Sequence, residues 1–294
     1  MKLIIWGHKY NGHTHSYIHS SYYKAAKYMG FDAYWLDEKD DTSNFNFDNS
    51  IFLTEDQTQH NIPLNKTCKY ILHHTKLDKY IENNLSFINL ANYLKYCDDG
   101  ISAYHKENSV ERINDWSFWD EKTKTVYQPW GTDLTPNQIY ENENDFFNES
   151  EKNVIYVGTQ HDNINEIYKF KSECEKNNKN FTNVNHISDE DNKELIRKSL
   201  VSVDLRGDWH RECGYIPCRV FKNISYGRLT GTNSENVKKF FGDFVVFNEN
   251  PSELYHDLIN SEKEKNTKLI RESILFVKEN HTYKNRIENL LKLI

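Results

Sequence analysis

The stretch LRGDWHRECGYIPCRVFKNISYG, residues 205–227, decides how this chain is read. The apolar run that ends at Leu205 has the length and residue types of a buried strand. A polar loop follows. A helix is expected over 217–226, with Pro217 in its first turn and Gly227 just past its end. In open α/β sheets, ligands bind beyond the carboxyl ends of the strands. A helix that starts there offers unpaired backbone N–H groups and a partial positive charge to an anion. Gly214 lets the backbone approach a ligand closely. Arg219 and Lys222 add cations from the first turns of the helix, and Arg206 and Arg211 add them from the loop. A diphosphate leaving group needs this kind of electrostatic stabilisation. An ordinary amphipathic helix would bury Val220, Phe221 and Ile224 on a sheet with no ligand at all. The combination of Gly, Pro, Arg and terminal Gly at one strand–helix junction favours the functional reading.

Working outward, the second half of the chain is a series of strands and helices. Residues 153–157 read as a strand ended by Gly158, and 164–175 as a helix. Ser188 with Asp191 makes a capping-box-like helix start, and Leu195 and Ile196 lie on the helix that follows. Residues 229–232 and 244–247 are short strands. Two helices close the chain, one marked by Ile270, Ile274 and Val277, the other by Ile287, Leu290, Leu291 and Ile294. Upstream, the acidic, Asn-rich segment 137–152 reads as a linker. Before it, residues 126–136 read as a junction, with turn residues in the run YQPWGTDL, 127–134.

The first half shows the same alternation. Strands are expected at 2–6, 31–36, 51–54 and 70–72, with weaker candidates at 86–90 and 100–103. A helix from about Ser16 carries Ile18, Tyr22, Ala25 and Met29 on one face and stops at Gly30. Strand, helix, strand in that order predicts parallel sheets with helices on their faces.

Composition narrows the classes. The chain has 294 residues, enough for two domains of ordinary size. Nineteen Tyr and sixteen Phe supply apolar area for a core although the hydrophobic fraction is only 37%. The net charge of −7, with no Lys/Arg block, argues against a duplex-wrapping face, so nucleic acid is not the expected partner. Five Cys with no Cys-x-x-Cys read as free thiols of a reducing compartment. The run Leu3-Ile4-Ile5-Trp6 is too short for a signal-peptide core, and no apolar run approaches the ~20 residues of a membrane span. A cytoplasmic location is expected.

The pattern Gly214-Tyr215-Ile216-Pro217, Arg219, Phe221 and Gly227 resembles the donor-site motif of GT-B glycosyltransferases, most closely the group-1 and CgeB-like families. The Leu229-Thr230-Gly231-Thr232 strand fits that resemblance. So does the ending His281-Thr282-Tyr283 with Arg286 and Leu290-Leu291, which resembles those families' C-terminal helix. Gln128 to Asp133 is similar to their inter-domain segment. The resemblance implies a GT-B α/β fold: two Rossmann-like domains whose parallel sheets face a central cleft. Residues 1–135 would hold the acceptor, 150–280 would hold a nucleotide-sugar donor, and 281–294 would cross back to the first domain. It implies metal-independent transfer of a sugar from a UDP- or GDP-sugar to a glycan or glycoconjugate, with no other cofactor. Arg206, Glu212, Gly214, Tyr215, Ile216, Arg219, Lys222 and Asn223 are the expected donor-binding residues. The motif departs at Lys222, where the families usually carry a ribose-binding Glu; Glu212 is the candidate replacement. A looser similarity to the α-1,3-fucosyltransferase motif, through Tyr215, Arg219, Phe221 and Asn223, allows a GDP-sugar.

The loop after the first strand carries His8, His13, His15 and His19. In GT-B proteins this loop faces the cleft, and a histidine there can serve as general base on an acceptor hydroxyl. His15 or His13 is the expected base. Glu55, His73 and His74 follow strands and lie at the expected cleft edge, where loop polarity is the preferred reading. No metal site is expected: there is no His-Glu-x-x-His and no Cys partner for His13-x-His15 or His73-His74. Asp189-Glu190-Asp191 spells the Asp-x-Asp of metal-dependent transferases, but at a helix start it complements the dipole. Three other functions fit less well. Glycosylation of DNA bases conflicts with the charge. A non-catalytic sugar-nucleotide module is kept open by Lys222. A dehydrogenase lacks a Gly-x-Gly-x-x-Gly run after either Gly7 or Gly158.

Overall fold

The computed structural model describes residues 1–55, 61–73, 76–93, 111–114, 116–139, 153–263 and 267–294. The expected strand at 100–103, Cys97, His74 and most of the 137–152 segment lie outside the described residues. The chain divides into two compact units, Met1–Thr135 with Thr282–Ile294, and Pro136–His281.

The first unit is built on an eight-stranded sheet. In chain order its elements are β1 (Lys2–Trp6), α1 (Thr14–Tyr28), β2 (Asp32–Leu36), β3 (Ser50–Glu55), β4 (Lys69–His73), α2 (Asp78–Glu82), β5 (Ser86–Ala91), β6 (Glu111–Asn114), β7 (Ser117–Asp120) and β8 (Thr125–Tyr127). The sheet order is β2-β1-β3-β4-β5-β8-β7-β6. The first six of these neighbours pair in parallel, and β8-β7-β6 close the edge as an antiparallel meander. The meander has no counterpart in the sequence reading. β3 is buried along its whole length, as a central parallel strand covered on both faces must be. One face of the sheet packs Ile4, Trp6, Phe52, Tyr70, Leu72 and Tyr80 into a single core. Phe52 stacks on Tyr70 with ring centroids 5.3 Å apart, so aromatic rings fill the volume that aliphatic residues fill in most cores.

The last helix, α10 (Tyr283–Leu291), belongs to this unit. Tyr283 packs edge-on against Tyr22 of α1, with centroids 4.6 Å apart. Arg286 is 1% exposed. Its Nε donates to the Pro129 carbonyl at 2.7 Å and its Nη2 to the Trp130 carbonyl at 2.7 Å. Burial lowers its pKa to about 10, so it remains charged at neutral pH. The Gln128 to Asp133 run is therefore held by the helix that closes the chain.

The second unit contains β9 (Asn153–Val157), α3 (Ile164–Lys176), β10 (Asn180–Val184), α4 (Asp189–Lys198), β11 (Ser202–Asp204), α5 (Asp208–Glu212), α6 (Cys218–Ser225), β12 (Thr230–Thr232), α7 (Glu235–Phe241), β13 (Val246–Phe247), α8 (Pro251–Lys263) and α9 (Thr267–Asn280). β10 pairs with β9, and β11-β12-β13 form a second ladder, all in parallel. Leu200 N–H donates to the Asn153 carbonyl at 2.9 Å, which sets β9 beside β11. A core of Val154, Tyr156, Phe170, Val203, Leu205, Leu254 and Leu258 joins α3 and α8 to these strands. Repeated β-α-β units with parallel pairing are the Rossmann pattern. At Asp189-Glu190-Asp191 the acidic run opens α4, and the Ser188 hydroxyl accepts the Asp191 N–H at 3.0 Å, so these carboxylates serve the helix start.

Candidate functional site

Two groups of polar side chains gather at the carboxyl ends of parallel strands, one in each unit.

In the second unit the centre is Asp204, the fully buried last residue of β11. Its Oδ1 accepts from Arg206 Nε at 2.8 Å and lies 3.2 Å from Arg219 Nη1. Two guanidinium groups thus share one carboxylate, which leaves a net positive charge at the strand ends. Burial disfavours the charged form of Arg206, but the Asp204 carboxylate outweighs it and raises the pKa above the ordinary arginine value. Arg219 reaches from the first turn of α6 across to β9. Its Nε donates to the Val157 carbonyl at 2.9 Å and its Nη1 to the Tyr156 hydroxyl at 2.7 Å, and the guanidinium lies 4.3 Å from the Tyr156 ring centroid. Gly158 makes room for it: a Cβ there would stand 1.9 Å from Arg219 Nη2.

The loops around this centre are tied together. The Asn233 side chain accepts the Arg206 N–H at 2.7 Å and donates to the Arg206 carbonyl at 2.9 Å. Asn163 donates to Tyr156 Oη at 2.9 Å and to the Leu205 carbonyl at 2.8 Å. His210 Nδ1 meets Asp162 at 3.0 Å, and burial with the nearby Arg206 charge lowers the His210 pKa. Gly207 packs so closely on Asp162 that a Cβ would stand 2.6 Å from its carbonyl oxygen. The loops after β9, β11 and β12 therefore form one fixed floor.

The other expected donor residues fall as follows. Pro217 is the N-cap of α6, one position before the first helical residue, with its φ of −76° suited to that place. Gly214, at φ +70°, holds a left-handed turn that favours glycine. Tyr215 and Ile216 are buried beside it, and Arg206 lies 5.7 Å from the Tyr215 ring centroid. Glu212 is exposed at the end of α5, a short helix where the sequence reading has only a loop. Lys222 is buried and turned toward α4, where its Nζ meets Asp189 Oδ1 at 3.1 Å. Asn223 is buried within α6. Thus Arg206 and Arg219 are brought together, while Lys222 and Glu212 point to other surroundings. Asp204, Tyr156, Asn163 and Asn233 escaped the sequence reading. A carboxylate closing a strand two residues before an arginine was the available signal.

In the first unit, β1 ends at Trp6 and the chain turns through Gly7 and His8, both at positive φ, +89° and +59°. That turn buries the His8 ring, which contacts Glu55 at the end of β3 through Nε2. His8 Nδ1 lies 3.0 Å from His13 Nε2. His13 is the N-cap of α1, and its Nδ1 accepts the His15 N–H at 3.3 Å. These contacts fix the proton positions. His13 Nδ1 accepts, so neutral His13 carries its proton on Nε2 and donates to His8 Nδ1; His8 then donates from Nε2 to Glu55. Both nitrogens of His13 are committed. His15 Nδ1 lies 3.6 Å from Glu55 Oε1, and its side chain is 28% exposed. His19 is buried and donates from Nδ1 to the Gly7 carbonyl at 2.9 Å; burial lowers its pKa to about 3, so it stays neutral. Burial opposes ionisation of Glu55, but the His8 contact and the nearby His15, His8 and His19 outweigh it and lower its pKa. His13 is lowered by burial and by His8. His73 ends β4 with its ring centroid 5.9 Å from that of His15.

No family model and no curated protein matches the chain. Solved structures do. One, described as trehalose-6-phosphate from E. coli bound with UDP-2-fluoro glucose, aligns with a TM-score of 0.50 over 95% of this chain and 77% of its own, at 10% identity. The fold is GT-B. A second, described as the OtsA apo structure, covers the same shares at a TM-score of 0.48 and 10% identity. At this identity the likeness speaks for the fold alone, and the CgeB-like and fucosyltransferase resemblances gain nothing from it. Among the described residues no helix is long and apolar enough to cross a membrane.

Proposed function

We propose that the chain is a nucleotide-sugar glycosyltransferase that holds its donor in the second unit. The observation that carries this reading is the pair Arg206 and Arg219 around Asp204, beside the start of α6, at the carboxyl ends of β9 and β11. Two cations against one buried carboxylate leave charge for a diphosphate, and a helix start beside them offers unpaired N–H groups to an anion. The cations come from the chain itself, so donor binding requires no metal. The related fold of a protein bound with UDP-2-fluoro glucose supports the same class of donor, and a GDP-sugar suits the same cradle. A glycan or glycoconjugate is the acceptor in this reading.

The first unit supplies acceptor activation. Of the two expected histidines, His13 has both nitrogens engaged, so His15 is the base, oriented by Glu55 through Nδ1. The acceptor hydroxyl oxygen attacks the anomeric carbon as its proton passes to His15. The bond from that carbon to the diphosphate oxygen breaks, and the nucleoside diphosphate leaves with the electron pair, stabilised by Arg206 and Arg219.

The test is turnover of a panel of UDP- and GDP-sugars, read as nucleoside diphosphate released with and without oligosaccharide acceptors. Release above background by the wild-type chain is expected. His15→Ala should lower it by about 10²- to 10⁴-fold. No release from any donor, by protein shown to be folded, would remove the enzymatic reading.

A further inference from the structure

We infer that His8, His15 and Glu55 form a binding site for one divalent transition-metal ion of the zinc class. One ligand atom from each of these residues lies within 4.8 Å of the other two. Two imidazoles and one carboxylate are a donor set that zinc takes in open sites, where a fourth position is left to water or substrate. Tetrahedral ligands about 2.1 Å from zinc stand roughly 3.4 Å apart. His15 Nδ1 and Glu55 Oε1, at 3.6 Å, are already near that spacing. His8 is closer still to the carboxylate. For all three to reach that spacing the His8–Glu55 contact has to open and the His8–His15 separation has to close, and His15, on the first turn of α1 and 28% exposed, is the side an ion reaches first.

Three features set this trio apart from a chance surface cluster. His8 is 1% exposed and held in a left-handed conformation at φ +59°, uncommon for a residue other than glycine. Its partner Glu55 is 2% exposed, so two of the three ligands are buried side by side before an ion arrives. His13 stands behind His8 with Nε2 3.0 Å from His8 Nδ1, the outer-shell contact that sets the tautomer of a ligating imidazole. With an ion bound, His8 Nε2 presents its lone pair and Nδ1–H donates to His13 Nε2. His13 then carries its own proton on Nδ1, and the change costs only the 3.3 Å cap contact from the His15 N–H.

The inference does not depend on the donor site in the second unit. It does bear on the base: an ion on His15 Nδ1 fixes that ring's proton on Nε2, so the metal-loaded ring and the basic ring exclude one another. Binding is therefore measured without turnover. Metal-free full-length protein, dialysed against chelator, is titrated with Co²⁺ for its visible ligand-field absorption and with Zn²⁺ for calorimetric stoichiometry and thermal shift. One equivalent at micromolar concentration is expected, with the absorption intensity of a four- or five-coordinate centre. His15→Ala and Glu55→Gln should each raise Kd at least 10-fold, and His13→Ala should raise it about 10- to 100-fold as a positioning residue. His256→Ala, an exposed histidine of the second unit, should leave Kd unchanged. Far-UV circular dichroism shows that each variant is folded; buried His8 is left intact for that reason. Absence of binding by either ion, or equal binding by wild type, His15→Ala and Glu55→Gln, overturns the site.

Discussion

Gly158→Ala is a small change with a large expected effect. A Cβ at residue 158 would stand 1.9 Å from Arg219 Nη2 and 2.9 Å from Cζ, so the guanidinium must retreat by about 1.5 Å to reach ordinary contact. It cannot do so and keep its partners. Nε sits 2.9 Å from the Val157 carbonyl and Nη1 2.7 Å from Tyr156 Oη, with Asp204 Oδ1 at 3.2 Å. Loss of one or two such bonds costs about 1–3 kcal/mol. The φ of +153° adds roughly 1 kcal/mol for any residue with a Cβ. The total is about 2–4 kcal/mol, equivalent to roughly 5–15 °C in Tm for a unit of this size. Thermal and urea denaturation of wild type, Gly158→Ala, Arg219→Ala and the double variant measure it. If the methyl acts through the guanidinium, the two changes are non-additive by about 1–2 kcal/mol, because the second has no bonds left to break. Full additivity would refute the placement of Arg219 against Gly158 and the cradle built on it.

Other outcomes follow from the same contacts. Arg286→Met should destabilise the first unit by about 2–5 kcal/mol in urea unfolding, since it strands the Pro129 and Trp130 carbonyls in a dry interior. His19, held near a pKa of about 3 by burial, is protonated in the unfolded chain below its ordinary value of 6.5 but not in the native state. Its contribution to stability is thus complete above pH 6.5 and lost as pH falls toward 3, with a slope of up to about 1.4 kcal/mol per pH unit. Glu55, also depressed, adds loss in the same direction as pH falls below the ordinary carboxylate range. His19→Asn, which keeps a donor for the Gly7 carbonyl, should flatten the slope between pH 6.5 and 5; an unchanged slope would place the titration elsewhere.

The parts of this molecule legible in its sequence are those encoded by near neighbours. Apolar runs gave β1, β3, β9 and β11 within two residues, Gly7 and Gly158 closing the first and third of these, and Gly30 and Gly227 marked helix ends by the φ they permit. β10, Asn-Phe-Thr-Asn-Val, is a half-exposed edge strand whose polar residues carry no burial signal. The short helix α5 was hidden in a run rich in charge. Within the site, the region was readable but the partners were not. Arg219 meets Tyr156 63 residues away, Lys222 meets Asp189 33 away, and His8 meets Glu55 47 away. Lys222 stands where a donor-contacting residue was expected, yet the ion pair to α4 turns it elsewhere. His13 and His15 are two residues apart and look interchangeable in sequence, and only the hydrogen bonds that consume both nitrogens of His13 separate them.

Arg206 and Arg219, with the opening N–H groups of α6, are expected to hold a pyrophosphate. Crystals soaked in millimolar UDP or GDP test it most directly. Difference density should place the phosphates within hydrogen-bond distance of both guanidinium groups and the first turn of α6. Density for the nucleotide at any other place in the second unit, with Arg206 and Arg219 untouched, would contradict it.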